Sequence, residues 1–379
     1  MVKKYFFCAF LLFSQSFLLF GQVKLSLKTG QIPAIKGPGL HLYMAGDFNG
    51  WNPADKAFEL QQDSAGHFGF SGLLKPGRYQ FKITRGNWQN VECNANGGAI
   101  ENRELILLHD TSVVLNIAAW QDSFKPADRK HTASTNVHIL SDTFRMPQLN
   151  STRRIWLYLP VDYATSGRKY PVIYMQDGQN LFDDFTSSYG EWGIDEILDK
   201  LPARDQCIIV GIDHGGEKRI TEYDPYDSKY GKGRGDDYVD FLVKTLKPYI
   251  DQHYRTRPDA RHTTIAGSSV AGLISLYAIL KYPDIFGNAG VFSPSLWLSR
   301  QVYQYAETHP LKKASRIYFV CGDAESDEMV PDLHKMVTVV RSKGLSPKNT
   351  PEVIVKGAKH NEKQWNADFP AFYFWAIGH

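Results

Sequence analysis

From about residue 136 to the C-terminus, short apolar runs alternate with longer helical patterns, and this alternation constrains the fold more than any other feature. The runs are "RIWLYLP", "VIYMQDG", "QCIIVGI", "HTTIAGS", "GNAGVFS", "RIYFVCG" and "EVIVKG". Between them lie "YGEWGIDEILDKL", "DDYVDFLVKTLKPYIDQHY", "SSVAGLISLYAILKYP" and "DEMVPDLHKMVTVVRSKG". Strands that are apolar on both faces need helices over both faces, which is the layout of a parallel sheet. The predicted fold class is therefore α/β. Ligands of such sheets bind beyond the C-terminal ends of the strands, so those loops are where chemistry is expected.

One strand end reads Gly267-Ser268-Ser269-Val270-Ala271, close to G-x-S-x-G with Ala in the last place. In that pattern the nucleophile sits in a strained turn between strand and helix, and small neighbours let the backbones pass closely. Ser269 is then exposed at the strand end, and the Val270 N–H points at the same space as an oxyanion donor. A serine hydroxyl needs a base, and in this fold the chain order is Ser, acid, His. His309, His334, His360 and His379 follow Ser269. His309 precedes any strand-end acid, His334 lies inside a helical pattern and His379 is terminal. His360, in the loop "GAKHNEKQW" after "EVIVK", is the expected base. "CGDAESDEM" offers the acid: Asp323 or Glu325 can hold the far imidazole nitrogen, while Asp327 better suits a helix cap. A second oxyanion donor is expected from the Gln179 N–H, after the turn at Gly178.

The stretches "VIYMQDGQNLFD", "EWGIDEIL", "IIVGIDHGGEKR", "YVDFLVKTLKPYID", "IAGSSVAGLISLYAILKYPDIFG", "FSPSLW" and "AKHNEKQW" resemble the Putative esterase family. That group holds esterase D, enterochelin esterases, feruloyl and acetyl-xylan esterases and the mycolyltransferases. The resemblance covers roughly residues 136 to 379 and implies an α/β-hydrolase domain with Ser269 as nucleophile and His360 as base. The family's acid falls three residues after the strand-end glycine, here Gly322, which implies Glu325. Two departures stand out. Val270 and Ala271 replace the usual Met and Gly after the nucleophile, and Gln176 replaces the His of the usual H-D-G. Neither removes a proton-transfer group, so activity is expected to persist with an altered pocket. Trp192 and Trp297 are expected to line it.

Residues 22–118 have a different texture, with short alternating runs split by Gly, Pro and Asn, as in "LHLYMAGDFNGWNP" and "GHFGFSGLLKPGRYQFKITRG". This predicts a small immunoglobulin-like β-sandwich. The polar residues 119–135 read as a linker, and residues 136–379 as the hydrolase. Trp51 and Trp88 stand in "NGW" and "RGNW", turn-like contexts that favour exposure, and Lys82 in "YQFKITRG" is a nearby cation that can hydrogen-bond sugar hydroxyls. These stretches and "ENRELIL" resemble glycogen- and starch-binding modules, which implies that the three residues contact an α-glucan or another polysaccharide. Cys93 falls near the place of a further aromatic of the starch-binding type.

The chain opens with Lys3 and Lys4, an apolar run from Tyr5 to Phe20 and then Gly21, the layout of a secretory signal peptide over residues 1–21. The run is short and broken by Ser14, Gln15 and Ser16, so no stable membrane span is expected once the signal is removed. A secreted or periplasmic product is expected. Cys93, Cys207 and Cys321 remain, too few and too scattered for a disulfide framework, and no Cys/His spacing suggests zinc. With 43 basic and 40 acidic residues the charge is nearly balanced, which argues against a nucleic-acid partner. The expected function is that of a secreted serine carboxylic-ester hydrolase acting on esterified carbohydrate of acetyl or feruloyl type, without metal or organic cofactor. Acyl transfer to a sugar acceptor, siderophore ester cleavage and a non-catalytic glycan-binding role are left open by the sequence.

Overall fold

Every residue of the strands Val172–Gln176, Ile208–Ile212, Thr263–Ser268 and Asn288–Phe292 is buried in the computed structural model, as their unbroken apolar runs require. The structure describes residues 21–33, 40–124, 130–187 and 190–378. The predicted signal segment lies outside the described residues apart from Gly21. The four strands are the centre of an eight-stranded sheet in the order Val137–Met146, Ser151–Tyr158, Ile208–Ile212, Val172–Gln176, Thr263–Ser268, Asn288–Phe292, Arg316–Gly322, Glu352–Val355. From Ile208–Ile212 onward all neighbours are parallel. The first two strands are antiparallel instead. Their link is a single turn at Pro147–Leu149 with Asn150 left-handed, too short for the crossover that a parallel pair requires.

Alternate residues of each strand serve two separate cores. Ile155, Leu157, Val172 and Tyr174 join the cluster that includes the helix Val270–Lys281. Trp156, Tyr158, Ile173 and Met175 join the one that includes the helix Glu362–Ile377. Both faces are thereby dry, which is why these strands show no alternation in sequence. Among the described residues no helix is long and apolar enough to cross a membrane.

The N-terminal region forms a second, seven-stranded sheet, in the order Arg103–Leu107, Gly77–Thr84, Leu42–Gly46, Glu59–Gln62, Phe68–Leu74, Val23–Thr29, Thr111–Leu115. Its strands share one core that includes Leu27, Met44, Phe81, Ile83 and Leu107. Ala119–Trp120 pairs with Glu92–Cys93, and Trp120 is fully buried in that core. The first residues of the predicted linker thus form a separate two-stranded sheet that packs on the N-terminal core. Cys93, Cys207 and Cys321 are free and buried thiols.

The strand Gly77–Thr84 is buried on both faces. Phe81 and Ile83 enter the sheet's own core, while Gln80, Lys82 and Thr84 face the other way and are also buried. Gln80 and its neighbour Arg78 meet the hydrolase. The Gln80 side chain donates to the Ala324 carbonyl at 2.9 Å, and the Arg78 N–H donates to Asp327 at 3.2 Å. Tyr230 Oη donates to the Asn49 carbonyl at 2.8 Å, and Lys359 pairs with Glu104 at 3.1 Å and Glu101 at 3.3 Å. The N-terminal sheet therefore rests on the loops at the C-terminal ends of the hydrolase strands.

Candidate active site

Ser269 closes the strand Thr263–Ser268 and caps the helix Val270–Lys281 with φ 61° and ψ −124°. That left-handed backbone is costly for a residue with a Cβ and persists only where its surroundings fix it. Here they do. The Ser269 N–H donates to the Phe292 carbonyl at 2.9 Å, and its carbonyl accepts from Ser295 at 3.0 Å and Leu273 at 3.1 Å. Gly267 lets the turn close, because a Cβ there would lie 2.7 Å from the Ala271 Cβ and 2.8 Å from Gln176 Oε1. Gln176 is buried beneath the helix, where its Oε1 accepts from Ser275 Oγ at 2.9 Å. The strand Val172–Gln176 leads into Asp177, also left-handed at φ 58°, then Gly178 and Gln179. Among the described residues the N–H groups of Val270 and Gln179 have no partner, although both residues are buried. Two buried donors without an acceptor at a strained serine are what an oxyanion site requires.

His360 stands in the loop after Glu352–Val355, as expected from the sequence, and its Nδ1 lies 2.7 Å from Glu325 Oε2. Glu325 is buried, and its other oxygen accepts from the Gly322 N–H at 2.6 Å and from Ser293 Oγ at 2.7 Å. Ser293 in turn accepts from Trp365 Nε1 at 3.0 Å, and the Trp365 ring stands edge-on to His360 at 5.0 Å. The imidazole is thus held on its Nδ1 side by a carboxylate that is itself hydrogen-bonded to Gly322 and Ser293. Burial pulls the His360 pKa down, but the Glu325 charge and hydrogen bond, with Asp47 and Glu362, outweigh it and leave the pKa raised. The Ser269 hydroxyl lies 3.2 Å from Ser295 Oγ, and no hydrogen bond joins it to His360 in this arrangement. Such bonds are commonly long or misaligned before substrate binds.

Of the other acids weighed from the sequence, Asp323 accepts the Gly357 N–H at 2.6 Å and braces the histidine loop. Asp327 holds the N-terminal sheet through Arg78 instead of capping the helix Met329–Ser342. The tryptophans divide. Trp192 is buried in the second core among Phe292, Trp365 and Phe369, so it does not line a pocket. Trp297 is half-buried and lies close to Gly50 at the domain boundary. Trp51 and Trp88 are half-buried, with rings 6.2 Å apart. Lys82, expected on an exposed glycan face, is only 6 % exposed. It points into the hydrolase and acts on Glu362, two residues beyond His360. Burial pushes the Glu362 carboxyl up to about 7, with Lys82 and His360 pulling the other way.

Several groups at the site carry no motif that picks them out. Arg219 grips Asp177 with two hydrogen bonds of 2.9 and 2.6 Å. Burial drives the Asp177 carboxyl up, but that guanidinium leaves it below the ordinary range. Ser293 and Ser295 lie in "FSPSLW", a stretch whose chemistry is visible only once the elbow is folded beside it. Asp47, whose charge bears on His360, comes from the other domain.

The strand–Ser269–helix elbow, on a sheet whose later strands yield an acid and a histidine in order, defines an α/β-hydrolase. The family model described as Putative esterase matches residues 147–374, and the chain belongs to that family of carboxylic-ester hydrolases. It is 26% identical over 245 residues to the uncharacterized protein YbbA of Bacillus subtilis, across 60% of this chain and 93% of that one. It is 26% identical over 215 residues to an endo-1,4-beta-xylanase/feruloyl esterase of Xylanibacter ruminicola, across 55% of this chain and 27% of that protein. The crystal structure of the enterobactin esterase FES from Shigella flexneri superposes with TM-score 0.52 at 14% identity, covering 89% of this chain and 87% of that one. That coverage extends beyond the hydrolase into the N-terminal sheet.

Proposed function

We propose that the chain is a secreted serine esterase that hydrolyses esters of carbohydrate, of acetyl or feruloyl type. Ser269 Oγ attacks the ester carbonyl while His360 Nε2 takes its proton. The N–H groups of Val270 and Gln179 hold the oxyanion of the tetrahedral intermediate. His360, oriented by Glu325, then gives the proton to the leaving alcohol. Water activated by the same imidazole clears the acyl-enzyme. These steps need no metal or organic cofactor. The observation that carries the reading is the Glu325–His360 bond of 2.7 Å at the same strand ends as two unpartnered N–H groups around Ser269. The sugar-ester assignment draws on the half-buried Trp51–Trp88 pair of the N-terminal sheet, read as an immunoglobulin-like glycan module. It also draws on the feruloyl esterase among the relatives. The leading segment reads as an export signal. The test is Ser269→Ala with nitrophenyl acetate: the loss expected is on the order of a thousandfold or more. A fluorophosphonate probe should label the wild type and not the variant. Hydrolysis at the wild-type rate by Ser269→Ala would remove the assignment.

A further inference from the structure

The face of the N-terminal sheet that an appended glycan module would show to solvent is turned toward the catalytic loops. Gln80 and Lys82 from one strand face are buried there, and Gln80 is hydrogen-bonded to Ala324, the residue before the triad acid. Asp47 begins the turn beside that strand. Its Oδ2 accepts the Gln80 N–H at 2.6 Å and its Oδ1 accepts Trp51 Nε1 at 3.0 Å. Asp47 is thus fixed to the backbone that carries Gln80 onto the Glu325 loop. Asp47 is exposed as a residue, and desolvation of its carboxyl pushes its pKa up to about 6. The charges of Asp47 and His360 act on each other across the domain boundary.

We propose that Asp47 is the residue that selects the alcohol half of the substrate, accepting hydrogen bonds from the hydroxyls of a neutral sugar whose ester carbonyl is at Ser269. The inference rests on the triad reading above. His360 delivers its proton to the leaving oxygen, so a carboxylate tied through Gln80 to the Glu325 loop, whose charge bears on His360, is on the side of the alcohol and not the acyl chain. An ionised carboxylate can accept about four hydrogen bonds, and two of those places are taken by Gln80 and Trp51. The remaining places suit hydroxyl donors, which replace the water that a crowded carboxylate loses. Trp51, held by the same carboxylate, stands with Trp88 to take the C–H face of the ring. An anionic alcohol meets repulsion from Asp47. The charged groups bearing on His360 are Glu325, Asp47 and Glu362, with Lys82 and Asp177 acting on Glu362.

The test compares wild type, Asp47→Ala and Asp47→Asn on nitrophenyl acetate and on a neutral acetylated oligosaccharide. Asp47→Ala is expected to lower the ratio of kcat/KM for the sugar ester to that for nitrophenyl acetate by about tenfold or more, chiefly through KM. Asp47→Asn keeps one acceptor oxygen, so its ratio falls less. Without the negative charge, the His360 limb of its pH profile on nitrophenyl acetate moves to lower pH, a shift that a merely structural role would not produce. An unchanged ratio in a folded Asp47→Ala overturns the proposal. If that variant fails to fold, an unmoved ratio and limb in Asp47→Asn do so. A wild type that hydrolyses nitrophenyl acetate but no sugar ester also overturns it. Ser269→Ala, run alongside, separates this from failure of the triad: nitrophenyl acetate activity surviving in that variant removes both readings.

Discussion

Ser269 holds a backbone conformation that few L-residues adopt, and the site is built outward from that strain. Three hydrogen bonds tie its peptide groups to Phe292, Ser295 and Leu273, so the sheet and the "FSPSLW" loop hold the elbow jointly. Glu325 does the corresponding work for the base. Its carboxylate accepts from Gly322, Ser293 and His360, and so fixes the imidazole tautomer with Nε2 free. Glu325→Gln is expected to lower kcat by roughly 10³–10⁴-fold, because an amide nitrogen turned to Nδ1–H cannot accept its proton. The pH profile gives a second reading with a definite sign. The proposed mechanism needs neutral His360, whose pKa is raised, so the acid limb of kcat/KM is expected above the ordinary histidine value of about 6.5. Removing the Glu325 charge moves that limb to lower pH. A limb that stays in place while kcat falls would mean that Glu325 acts on something other than His360.

The helix Val270–Lys281 is buried from Val270 to Leu280, and its first turn shares space with the strand before it. Ala271 puts its Cβ 2.7 Å from the place a Cβ on Gly267 would take and its carbonyl carbon 3.0 Å from it, and Gln176 Oε1 lies 2.8 Å from the same place. Gly267→Ala is therefore expected to lower stability by about 1–3 kcal/mol and to displace Ser269. Ala271→Gly removes one of the three close atoms and leaves Gln176 Oε1 and the Ala271 carbonyl carbon, so the double variant recovers part of the loss. Urea unfolding midpoints for the four proteins measure the coupling, and strictly additive effects would place the clash elsewhere. This helix was legible in the sequence because apolar residues run through it between Gly267 and Tyr282. Others were legible only in part. "YGEWGIDEILDKL" reads as one helix, yet only Ile194–Leu198 is α-helical, because Gly193 is left-handed at φ 57° and Trp192 turns into the core. The strand Val137–Met146 gave no apolar run because it lies at the sheet edge and most of its residues are solvated.

Ser269 and His360 could be found from the sequence because each stands in a loop after an apolar strand, whereas Glu325 could not be separated from Asp323 by position alone. The domain interface left no such mark. "GRYQFKIT" alternates as a half-solvated strand should, and a row of polar residues does not say whether water or another domain covers it. Lys82 therefore read as an exposed sugar contact, although the hydrolase encloses it. The same enclosure presses Gly50 against Tyr230 and Trp297 of the hydrolase. Gly50 is left-handed at φ 62°, and a Cβ on it would lie 1.4 Å from Tyr230 Oη and 3.0 Å from the Trp297 ring. Gly50→Ala thus imposes two costs. One is local, about 1–2 kcal/mol for a left-handed residue with a Cβ. The other is the clash, which Tyr230 relieves only by giving up its bond to the Asn49 carbonyl and letting the sheet rise from the cleft. Tyr230→Ala removes the larger part of the second cost, leaving the Trp297 contact, and none of the first. Calorimetric unfolding of wild type, both single variants and the double variant is expected to show coupling: the double variant should be more stable than the sum of the single losses predicts. Sugar-ester kcat/KM should fall in Gly50→Ala as the sheet separates from His360. Additive stabilities, with sugar-ester kcat/KM unchanged in Gly50→Ala, would show that the two domains do not depend on this contact for their seating.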